Sequence, residues 1–274
     1  MMTAPWSLTF LAEGALQGKT VVITGGTDGV GQESAIALAK LGARVILTAR
    51  NSTKAERTAL RMEAEAGSVA STLSSIFDLD LARLASCKAF ADRIKEDVDQ
   101  LDVLMLNAGI MAVPFSLTED GFESQYQVDH LGHFLIVHEL MDLIRESKTR
   151  VVVVSSVANR FAWEMDLESL TKKGGDEERY DPVGNYAQVK LANILFSNEL
   201  ARRLAGTGAT SNAVHPGVVK TNLATPAKES VFGKRFFQRL KEPVIDRLEG
   251  LFSLTALEGA LTQIFLAADD SVAG

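Results

Sequence analysis

Tyr186 and Lys190 are the two residues whose types and spacing point most directly to chemistry. They stand four positions apart in the apolar-periodic stretch YAQVKLANILFSNELARRL (186–204), so a helix places them on one face. A free tyrosine has a pKa of about 10, and a nearby cation lowers it by favouring the phenolate. Lowering the pKa to about 7 requires about 4 kcal/mol, more than one lysine supplies. The pair predicts a proton-exchanging tyrosine that needs a second positive charge, although an ordinary helix with an exposed lysine has the same spacing.

A glycine-rich turn follows the first apolar run of the chain. The run TVVIT (20–24) leads directly into TGGTDGVG (24–31), and an Ala- and Leu-rich helical pattern follows. Gly25, Gly29 and Gly31 permit a tight turn and close approach of the backbone to a pyrophosphate, while the helix N-terminus offers unpaired N–H groups. An ordinary strand-to-helix turn is the alternative. The glycine-rich turn is the first strand-to-helix turn of an alternating chain, and this place favours dinucleotide binding.

The elements that must position these residues alternate along the chain. We expect strands at 20–24, 43–49, 71–77, 102–107, 150–156 and 209–215, and helices at 29–41, 53–66, 81–98, 119–147 and 184–205. Strict alternation implies a doubly wound parallel sheet of the Rossmann type with helices on both faces. We interpret residues 1–274 as a single α/β domain. Segments 157–185 and 222–250 follow strand ends, where such sheets bind ligands, and we interpret the second as a substrate lid.

Six motifs, in this order, resemble the short-chain dehydrogenase/reductase family. They are TGGTDGVG (24–31), Asp78-Leu79, Asn107-Ala108-Gly109, Ser156, Tyr186 with Lys190, and PGVVKT (216–221). Within the family, HLGHFL (130–135), HPGVVKT (215–221) and the long segment between Ser156 and Tyr186 are similar to the retinol-dehydrogenase-like branch. The resemblance extends from residue 18 to about residue 225.

The resemblance implies an NAD(P)(H)-dependent oxidoreductase that interconverts a carbonyl and its alcohol by hydride transfer. Tyr186 would give the proton to the substrate oxygen, Ser156 would stabilise the charge on that oxygen, and Lys190 would serve both Tyr186 and the cofactor ribose. We expect Ser156 rather than Ser155 because adjacent strand residues point to opposite faces. The implied cofactor contacts come from Gly25, Thr27, Asp28, Gly29, Val30, Gly31, Asp78, Leu79, Asn107, Ala108, Gly109, Tyr186, Lys190, Pro216, Gly217, Val219 and Thr221.

The end of the second strand predicts NADP rather than NAD. Proteins of this type that prefer NAD usually carry an acidic residue there, which hydrogen-bonds the ribose 2′-hydroxyl, but this chain has Arg50. An arginine pairs with a 2′-phosphate. Asp28 in the glycine turn opposes a phosphate dianion by its charge. We expect NADP as the preferred cofactor, with NAD as the alternative.

Asp129 departs from the family pattern. The family usually has an asparagine at this position, which helps to hold a water that relays protons from the lysine. An ionised aspartate only accepts hydrogen bonds, and its charge would offset part of the field that lowers the pKa of Tyr186. We include Asp129 in the catalytic group with Ser156, Tyr186 and Lys190, and expect Asp129→Asn to keep or raise activity at neutral pH. The sequence also stops at DDSVAG, where the family usually adds an edge strand, so either the chain or the sheet is short there.

Apolar residues dominate the positions expected around the substrate. They are Met111, Val113, Phe161, Trp163, Leu223, Phe232, Phe236 and Phe237. They predict a hydrophobic carbonyl or alcohol such as a retinoid, a steroid or a long-chain aldehyde, unless several of them simply pack the lid. The stretch SVFGKRFFQRLKEPVIDRL (230–248) mixes aromatic and basic residues, so a peripheral membrane-surface helix is an alternative to the lid.

Composition narrows the remaining classes. The chain of 274 residues has a formal net charge of −7 and a pI of about 5.2, which argues against nucleic-acid binding. The single cysteine, Cys87, excludes a disulfide framework and fits a reducing, cytoplasmic compartment. No run reaches the ~18 apolar residues of a membrane span. The spacing of His130, His133 and His138 is not that of a known ligand set, so we expect no metal.

Two other functions share parts of this pattern. A cofactor-binding regulatory protein without turnover fits Asp129 and the missing edge strand, and NADPH consumption with apolar aldehydes and ketones would decide against it. A sugar-nucleotide epimerase or dehydratase shares the tyrosine and the lysine, but the spacing of Gly25, Gly29 and Gly31 argues against that class. The family often forms dimers through its long fourth and fifth helices, so the resemblance also implies a homo-oligomer.

Overall fold

The fold is taken from a computed structural model that describes residue 12 and residues 14–50, 52–66, 75–162, 164–219 and 254–272. The strands are β1 (Thr20–Ile23), β2 (Arg44–Ala49), β3 (Ser75–Asp78), β4 (Val103–Leu106), β5 (Arg150–Val154) and β6 (Thr210–Val214). The helices are α1 (Gly29–Lys40), α2 (Ser52–Ala66), α3 (Leu84–Asp97), α4 (Ser124–Tyr126), α5 (Gly132–Glu139), α6 (Met141–Ser147), α7 (Leu167–Thr171), α8 (Pro182–Leu204) and α9 (Ala256–Ala268). A π-helical turn at Gln127–Leu131 joins α4 to α5, and 3-10 turns occupy Val157–Phe161 and Asp270–Val272.

The six strands form one parallel sheet in the order β3-β2-β1-β4-β5-β6. Val22 of β1 stands opposite Ile46 of β2 on one side and Leu104 of β4 on the other. The strand order reverses between β1 and β4, which creates a crevice outside the carboxyl ends of these strands. The predicted doubly wound parallel sheet is confirmed, and the site is expected at that crevice.

Both faces of the sheet are covered, which explains why its strands lack polar alternation. Val21 and Ile23 pack into the cluster beneath α1 and α9, whereas Val22 packs into the opposite cluster beneath α3 and α5. All three side chains are fully buried. A central parallel strand can therefore read as a continuous apolar run.

The single helix expected at 119–147 is wrong, because the segment is divided. Gly121, with a φ of +83°, closes a turn by donating its N–H to the carbonyl of Thr118. The Glu123 carboxylate then caps α4 by accepting two N–H groups of its first turn. Leu140, at a φ of −95° and a ψ of 7°, separates α5 from α6. The apolar periodicity continues across these breaks, so it does not reveal them.

Helix α9 was not among the predicted elements. The side chain of Thr255 accepts from the N–H of Glu258, whose carboxylate in turn accepts from the N–H of Thr255. This capping box begins a helix that packs against α1. Just before it, Leu254 forms an isolated parallel bridge with Val219 beyond β6. The expected lid at 222–250 and residues 71–74 of the expected third strand lie outside the described residues.

Candidate active site

The sequence-predicted catalytic residues come together at the carboxyl end of the sheet. Ser156 is the second residue beyond β5, and helix α8 carries Tyr186 and Lys190 in its N-terminal half. Asp181 fixes the start of α8, because its carboxylate accepts from two N–H groups of the first turn and a proline takes the first helical position. The predicted helix at 184–205 thus places the tyrosine and the lysine as expected.

The two serines after β5 have different partners. The Ser155 hydroxyl is buried and donates to the carbonyl oxygen of Lys190 over 2.7 Å, so it fastens β5 to α8. The Ser156 hydroxyl accepts from the N–H of Ala158 over 3.2 Å. The Ser156 side chain also hydrogen-bonds that of Tyr186, so the serine hydroxyl lies beside the phenol oxygen.

Tyr186 and Lys190 are both buried, with 5% and 4% of their surface exposed. The Lys190 Nζ lies 5.4 Å from the centre of the Tyr186 ring. Burial raises the pKa of Tyr186 and Asp129 adds to the rise, whereas Lys190 and the Ser156 side chain oppose it. The pKa of Tyr186 is raised overall, so without a cofactor its side chain is the protonated phenol near neutral pH.

Asp129 makes direct contact with Lys190. Its Oδ2 lies 2.9 Å from the Lys190 Nζ, and its Oδ1 accepts from the N–H of Ile110 over 2.8 Å. The carboxylate is fully buried, and this burial raises its pKa although Lys190 opposes the rise. Burial lowers the pKa of Lys190, but Asp129 and Tyr186 together outweigh that effect and raise it. The geometry is that of a buried ion pair.

The backbone around Asp129 explains how its carboxylate reaches the lysine. It lies in the π-helical turn, and its carbonyl oxygen accepts from Asn193 Nδ2 at 3.1 Å and His133 Nδ1 at 3.3 Å. Asn193 Oδ1 also contacts His130 Nδ1 over 2.9 Å. Such turns interrupt α-helices frequently at functional sites. Sequence reasoning missed Asn193 and gave the histidines no role, and the apolar spacing carries no signal for either.

The glycine turn after β1 has the geometry of a phosphate cradle. Gly25 and Gly29 have φ values of +67° and +53°, which favour glycine. A Cβ at Gly31 would overlap the carbonyl oxygen of Gly25 and the side-chain amide of Asn107. Asp28, which precedes α1, makes no side-chain hydrogen bond to the helix. The first N–H groups of α1 are therefore available to a pyrophosphate, and the residues fit a dinucleotide.

The end of β4 braces this turn. Asn107 Nδ2 donates to the carbonyl oxygens of Thr24 and Gly25 over 2.9 and 3.3 Å. The Thr24 hydroxyl accepts from the N–H groups of Asn107 and Ala108 and lies 2.9 Å from His133 Nε2. A hydrogen-bonded path thus joins the glycine turn to the helix that carries Asp129. The Cα of Gly109 faces the same carboxylate, since a Cβ there would lie 2.9 Å from Asp129 Oδ2.

A second brace comes from α9 and had no sequence signal. Gln263 is fully buried, and its Nε2 lies 2.5 Å from Ser34 Oγ and 3.5 Å from Asn107 Oδ1. After β6, Gly217 has a φ of +87°, and a Cβ there would lie 2.5 Å from Leu254. Pro216 directly precedes Gly217 in the chain. Thr221 lies outside the described residues.

Charged residues line the edge where the adenosine half of a dinucleotide is expected. Arg50 is exposed at the end of β2, and its Nη1 lies 4.0 Å from Asp80 Oδ1. Lys54 Nζ lies 3.7 Å from Asp28 Oδ2, so the acid that opposes a phosphate has a cation beside it. Asp78 is exposed and Leu79 is buried at the end of β3. Sequence reasoning missed Lys54, because it belongs to α2 rather than to the turn.

Few of the apolar residues expected around the substrate can be placed. Met111 and Val113 are partly buried after β4, and Phe161 is 61% exposed after β5. The others, Trp163, Leu223, Phe232, Phe236 and Phe237, lie outside the described residues. A cavity of about 220 Å³ beside the start of α8 is lined mainly by polar side chains, among them Glu123 and Tyr180.

Neither a metal site nor a membrane-spanning helix is found among the described residues. No three histidine, cysteine or acidic side chains are arranged there to hold a metal ion. No helix within that part of the chain is long and apolar enough to cross a bilayer.

The fold and the site define a class. The protein combines a parallel sheet in this strand order, a glycine turn that exposes a helix N-terminus and a buried tyrosine-lysine pair. These features are typical of an NAD(P)-dependent oxidoreductase. The sequence profile of the family described as short chain dehydrogenase matches residues 19–166, and the chain belongs to this family. The resemblance stated from the motifs is therefore confirmed.

Known relatives support the same branch. Retinol dehydrogenase 14 of Mus musculus is 41% identical over 269 residues, which cover 95% of this chain and 77% of that protein. Retinol dehydrogenase 12 of Homo sapiens is 38% identical over 275 residues, which cover 97% of this chain and 80% of that protein. An uncharacterised protein of Mycobacterium paratuberculosis has a solved structure with a TM-score of 0.70 and 36% identity, covering 97% of this chain and 82% of that one.

The fold also matches more distant structures. A short chain dehydrogenase of Shigella flexneri, solved in complex with NADP, has a TM-score of 0.68 and 22% identity, with 95% of each chain covered.

Proposed function

We propose that this oxidoreductase prefers NADP(H) and interconverts a hydrophobic aldehyde or ketone and its alcohol, a retinoid being the favoured substrate. The observation that carries the proposal is the meeting of Ser156, Tyr186 and Lys190 in a parallel sheet whose first strand leads to the open N-terminus of α1. The cofactor, when bound, supplies or accepts the hydride. The protein must then hold the substrate oxygen and manage one proton.

The side chains divide these tasks. Tyr186 donates its phenolic proton to the carbonyl oxygen during reduction and takes it back during oxidation. Ser156, whose hydroxyl lies beside the Tyr186 side chain, donates a hydrogen bond to the same oxygen when a substrate is bound and stabilises its developing charge. Lys190, with its Nζ 5.4 Å from the centre of the Tyr186 ring, supplies positive charge to the tyrosine.

The preference for NADP rests on charge. Arg50 is the exposed residue at the end of β2, where an NAD-preferring protein would carry an acid. Lys54 offsets the charge of Asp28, which otherwise repels a 2′-phosphate. Arg50, whose side chain is 66% exposed and only loosely paired with Asp80, is then the cation that favours the phosphorylated ribose. The Shigella flexneri relative of the same fold was solved with NADP.

The substrate class rests on apolar surface and on relatives. Phe161 and Val218 are large apolar side chains left more than half exposed near the ends of β5 and β6. Met111 and Val113 add apolar surface after β4. Relatives across nearly the whole chain are named retinol dehydrogenases, whose named substrate is an apolar alcohol. A hydrophobic carbonyl or alcohol is the class that these features favour.

We also propose a homodimer and a cytoplasmic location. Phe134 on α5 and Leu195 on α8 are 46% and 51% exposed, and Phe134 packs on Phe196 with ring centres 5.6 Å apart. A second copy would cover this apolar surface. Burial raises the pKa of the free Cys87 thiol to about 12, which suits a protein without disulfides in a reducing compartment. Light scattering and cell fractionation test these two proposals, and a monomer or a membrane-bound protein contradicts them.

A cofactor titration followed by a substrate panel tests the function. Fluorescence titration should give tighter binding of NADPH than of NADH. NADPH oxidation should then be fastest with a retinal or a long-chain aldehyde and slow with small polar ketones. Tyr186→Phe is the control that should bind NADPH normally and lose turnover by about 10²-fold or more. Tighter binding of NADH, or turnover confined to polar ketones, contradicts the proposal.

A further inference from the structure

The contact between Asp129 and Lys190 changes the electrostatics of the tyrosine. Their charged atoms lie 2.9 Å apart, and both side chains are buried. If the proton stays on Lys190, the two groups are a cation and an anion, and if it moves to Asp129, both are neutral. In either form the pair carries no net charge near neutral pH. A neutral side chain at position 129 would instead leave Lys190 as a net positive charge.

The other titratable groups packed around Asp129 and Lys190 do not supply the net positive charge that this pair lacks. Burial lowers the pKa of His130 and of His133, so both imidazoles are neutral near pH 7. Glu123, which caps the helix that leads to Asp129, acts on Asp129 as a further negative charge. Burial also lowers the pKa of His215, whose Nδ1 accepts from the N–H of Val157 next to Ser156.

Lys190 and Asp129 are thus the charges that act most directly on the tyrosine. Lys190 favours the phenolate of Tyr186, Asp129 disfavours it, and burial disfavours it most strongly. Carbonyl reduction needs the phenol, which gives up a proton, whereas alcohol oxidation needs the phenolate, which accepts one.

We propose that the Asp129–Lys190 pair keeps Tyr186 in its proton-donating form at neutral pH and so adapts the site to carbonyl reduction. The inference rests on the proposed function, and it adds a direction to it. Asp129 is a positioning residue in this scheme, since it acts on the substrate only through Lys190 and Tyr186. Alcohol oxidation by the same site should require alkaline pH.

A direct titration of Tyr186 tests the proposal without turnover. The chain has three tyrosines, and burial raises the pKa of both Tyr126 and Tyr180. Ultraviolet difference spectra against Tyr186→Phe therefore isolate the Tyr186 phenolate, in the free protein and in its complex with NADP⁺. A unit charge removed a few ångströms beyond Lys190, at an effective dielectric constant of about 20, should move the pKa by about one to two units. Asp129→Asn should lower the titration midpoint by this amount.

Kinetics supply the second measurement. In Asp129→Asn, alcohol oxidation at pH 7 should rise about tenfold for each unit by which the midpoint falls, while carbonyl reduction changes much less. Asp129→Ala removes the same charge with different packing, so it should move the midpoint in the same direction. Asp142→Asn is the matched control, because Asp142 is an exposed residue of α6. The same chemical change there should leave the Tyr186 titration midpoint and both rates unchanged.

The outcomes separate the two proposals. If no carbonyl or alcohol is turned over, the proposed function fails, but the phenolate titration still decides the role of Asp129. An unchanged or raised midpoint in both variants overturns the inference. Loss of activity at every pH with an unchanged midpoint also overturns it, because Asp129 would then act in proton transfer or in folding.

Discussion

The Lys190 ammonium and the Asp129 carboxylate form an ion pair over 2.9 Å in which both side chains are almost completely buried. Each charge has given up its hydration, and the charge of the partner compensates much of that loss. The N–H of Ile110 supplies one further hydrogen bond to the carboxylate. Removal of a single partner should therefore cost more stability than the removal of both.

A double-mutant cycle measures this dependence. Lys190→Met should lower the free energy of unfolding by about 3–5 kcal/mol, because it leaves a buried carboxylate unpaired. Asp129→Asn combined with Lys190→Met should recover about half of that loss, since the amide can still accept from Ile110. Urea unfolding of the four proteins gives the coupling energy.

The exposed pair of Glu199 and Arg202 provides the comparison. Its side chains are 45% and 71% exposed and lie 2.7 Å apart. The same cycle with Glu199→Gln and Arg202→Met should give a coupling of less than about 1 kcal/mol. Equal couplings for the two pairs would contradict the view that burial makes the first one strong.

The elements of the fold and the face of α8 follow from sequence patterns, because these depend on neighbours close in the chain. Apolar periodicity predicts that Tyr186 and Lys190 share a face, and strand alternation predicts that Ser155 and Ser156 point apart. The structure agrees, since Ser155 bonds to the backbone of α8. Such inferences need only the geometry of one helix or one strand.

Contacts between distant elements could not be predicted in the same way. Gln263 meets Asn107 across 156 positions of sequence, and Lys54 of α2 reaches Asp28. The π-helical turn around Asp129 spans a single short stretch of the chain, too short for apolar spacing to distinguish it from an α-helix. Side-chain pairing between elements depends on how they pack, which local periodicity does not specify.

Arg50 should determine the choice of cofactor. Arg50→Ser should weaken NADPH binding by about tenfold or more, through loss of a charge-assisted hydrogen bond, and leave NADH binding nearly unchanged. Fluorescence titration of both cofactors measures the ratio. Arg145→Ser, on the remote helix α6, is the matched control and should change neither affinity. Equal weakening for NADPH and NADH would mean that Arg50 does not contact the 2′-phosphate.

Gly31 should be intolerant of a side chain for steric reasons. A Cβ there would overlap Gly25 and Asn107, whose contacts shape the phosphate turn. Gly31→Ala should therefore cost about 1–3 kcal/mol of stability and weaken cofactor binding by at least tenfold. Gly206→Ala is the control, because its φ is +81° but nothing lies within 4 Å of the added carbon. It should lose about 1 kcal/mol of stability and bind cofactor normally, and a similar affinity loss in both variants would contradict the steric argument.

His133 should make stability depend on pH. Burial, assisted by the charge of Lys190, lowers the pKa of His133 to about 3 in the folded protein, against about 6.5 in an unfolded chain. The folded state therefore stays unprotonated while the unfolded state gains a proton. The stabilisation is complete above about pH 6.5 and is lost as the pH falls towards 3, with a slope that approaches 1.4 kcal/mol per pH unit.

Urea unfolding between pH 7.5 and 4.5 measures the contribution of this histidine. The unfolding free energy of the native protein should fall with decreasing pH more steeply than that of His133→Gln, and the difference should reach about 2 kcal/mol at pH 5. His138 is exposed, so His138→Gln should keep the native slope. Parallel curves for the native protein and His133→Gln would mean that the imidazole is protonated in the fold. The bonds that His133 makes to Thr24 and to the Asp129 carbonyl argue for the neutral ring, with Nδ1 as donor and Nε2 as acceptor.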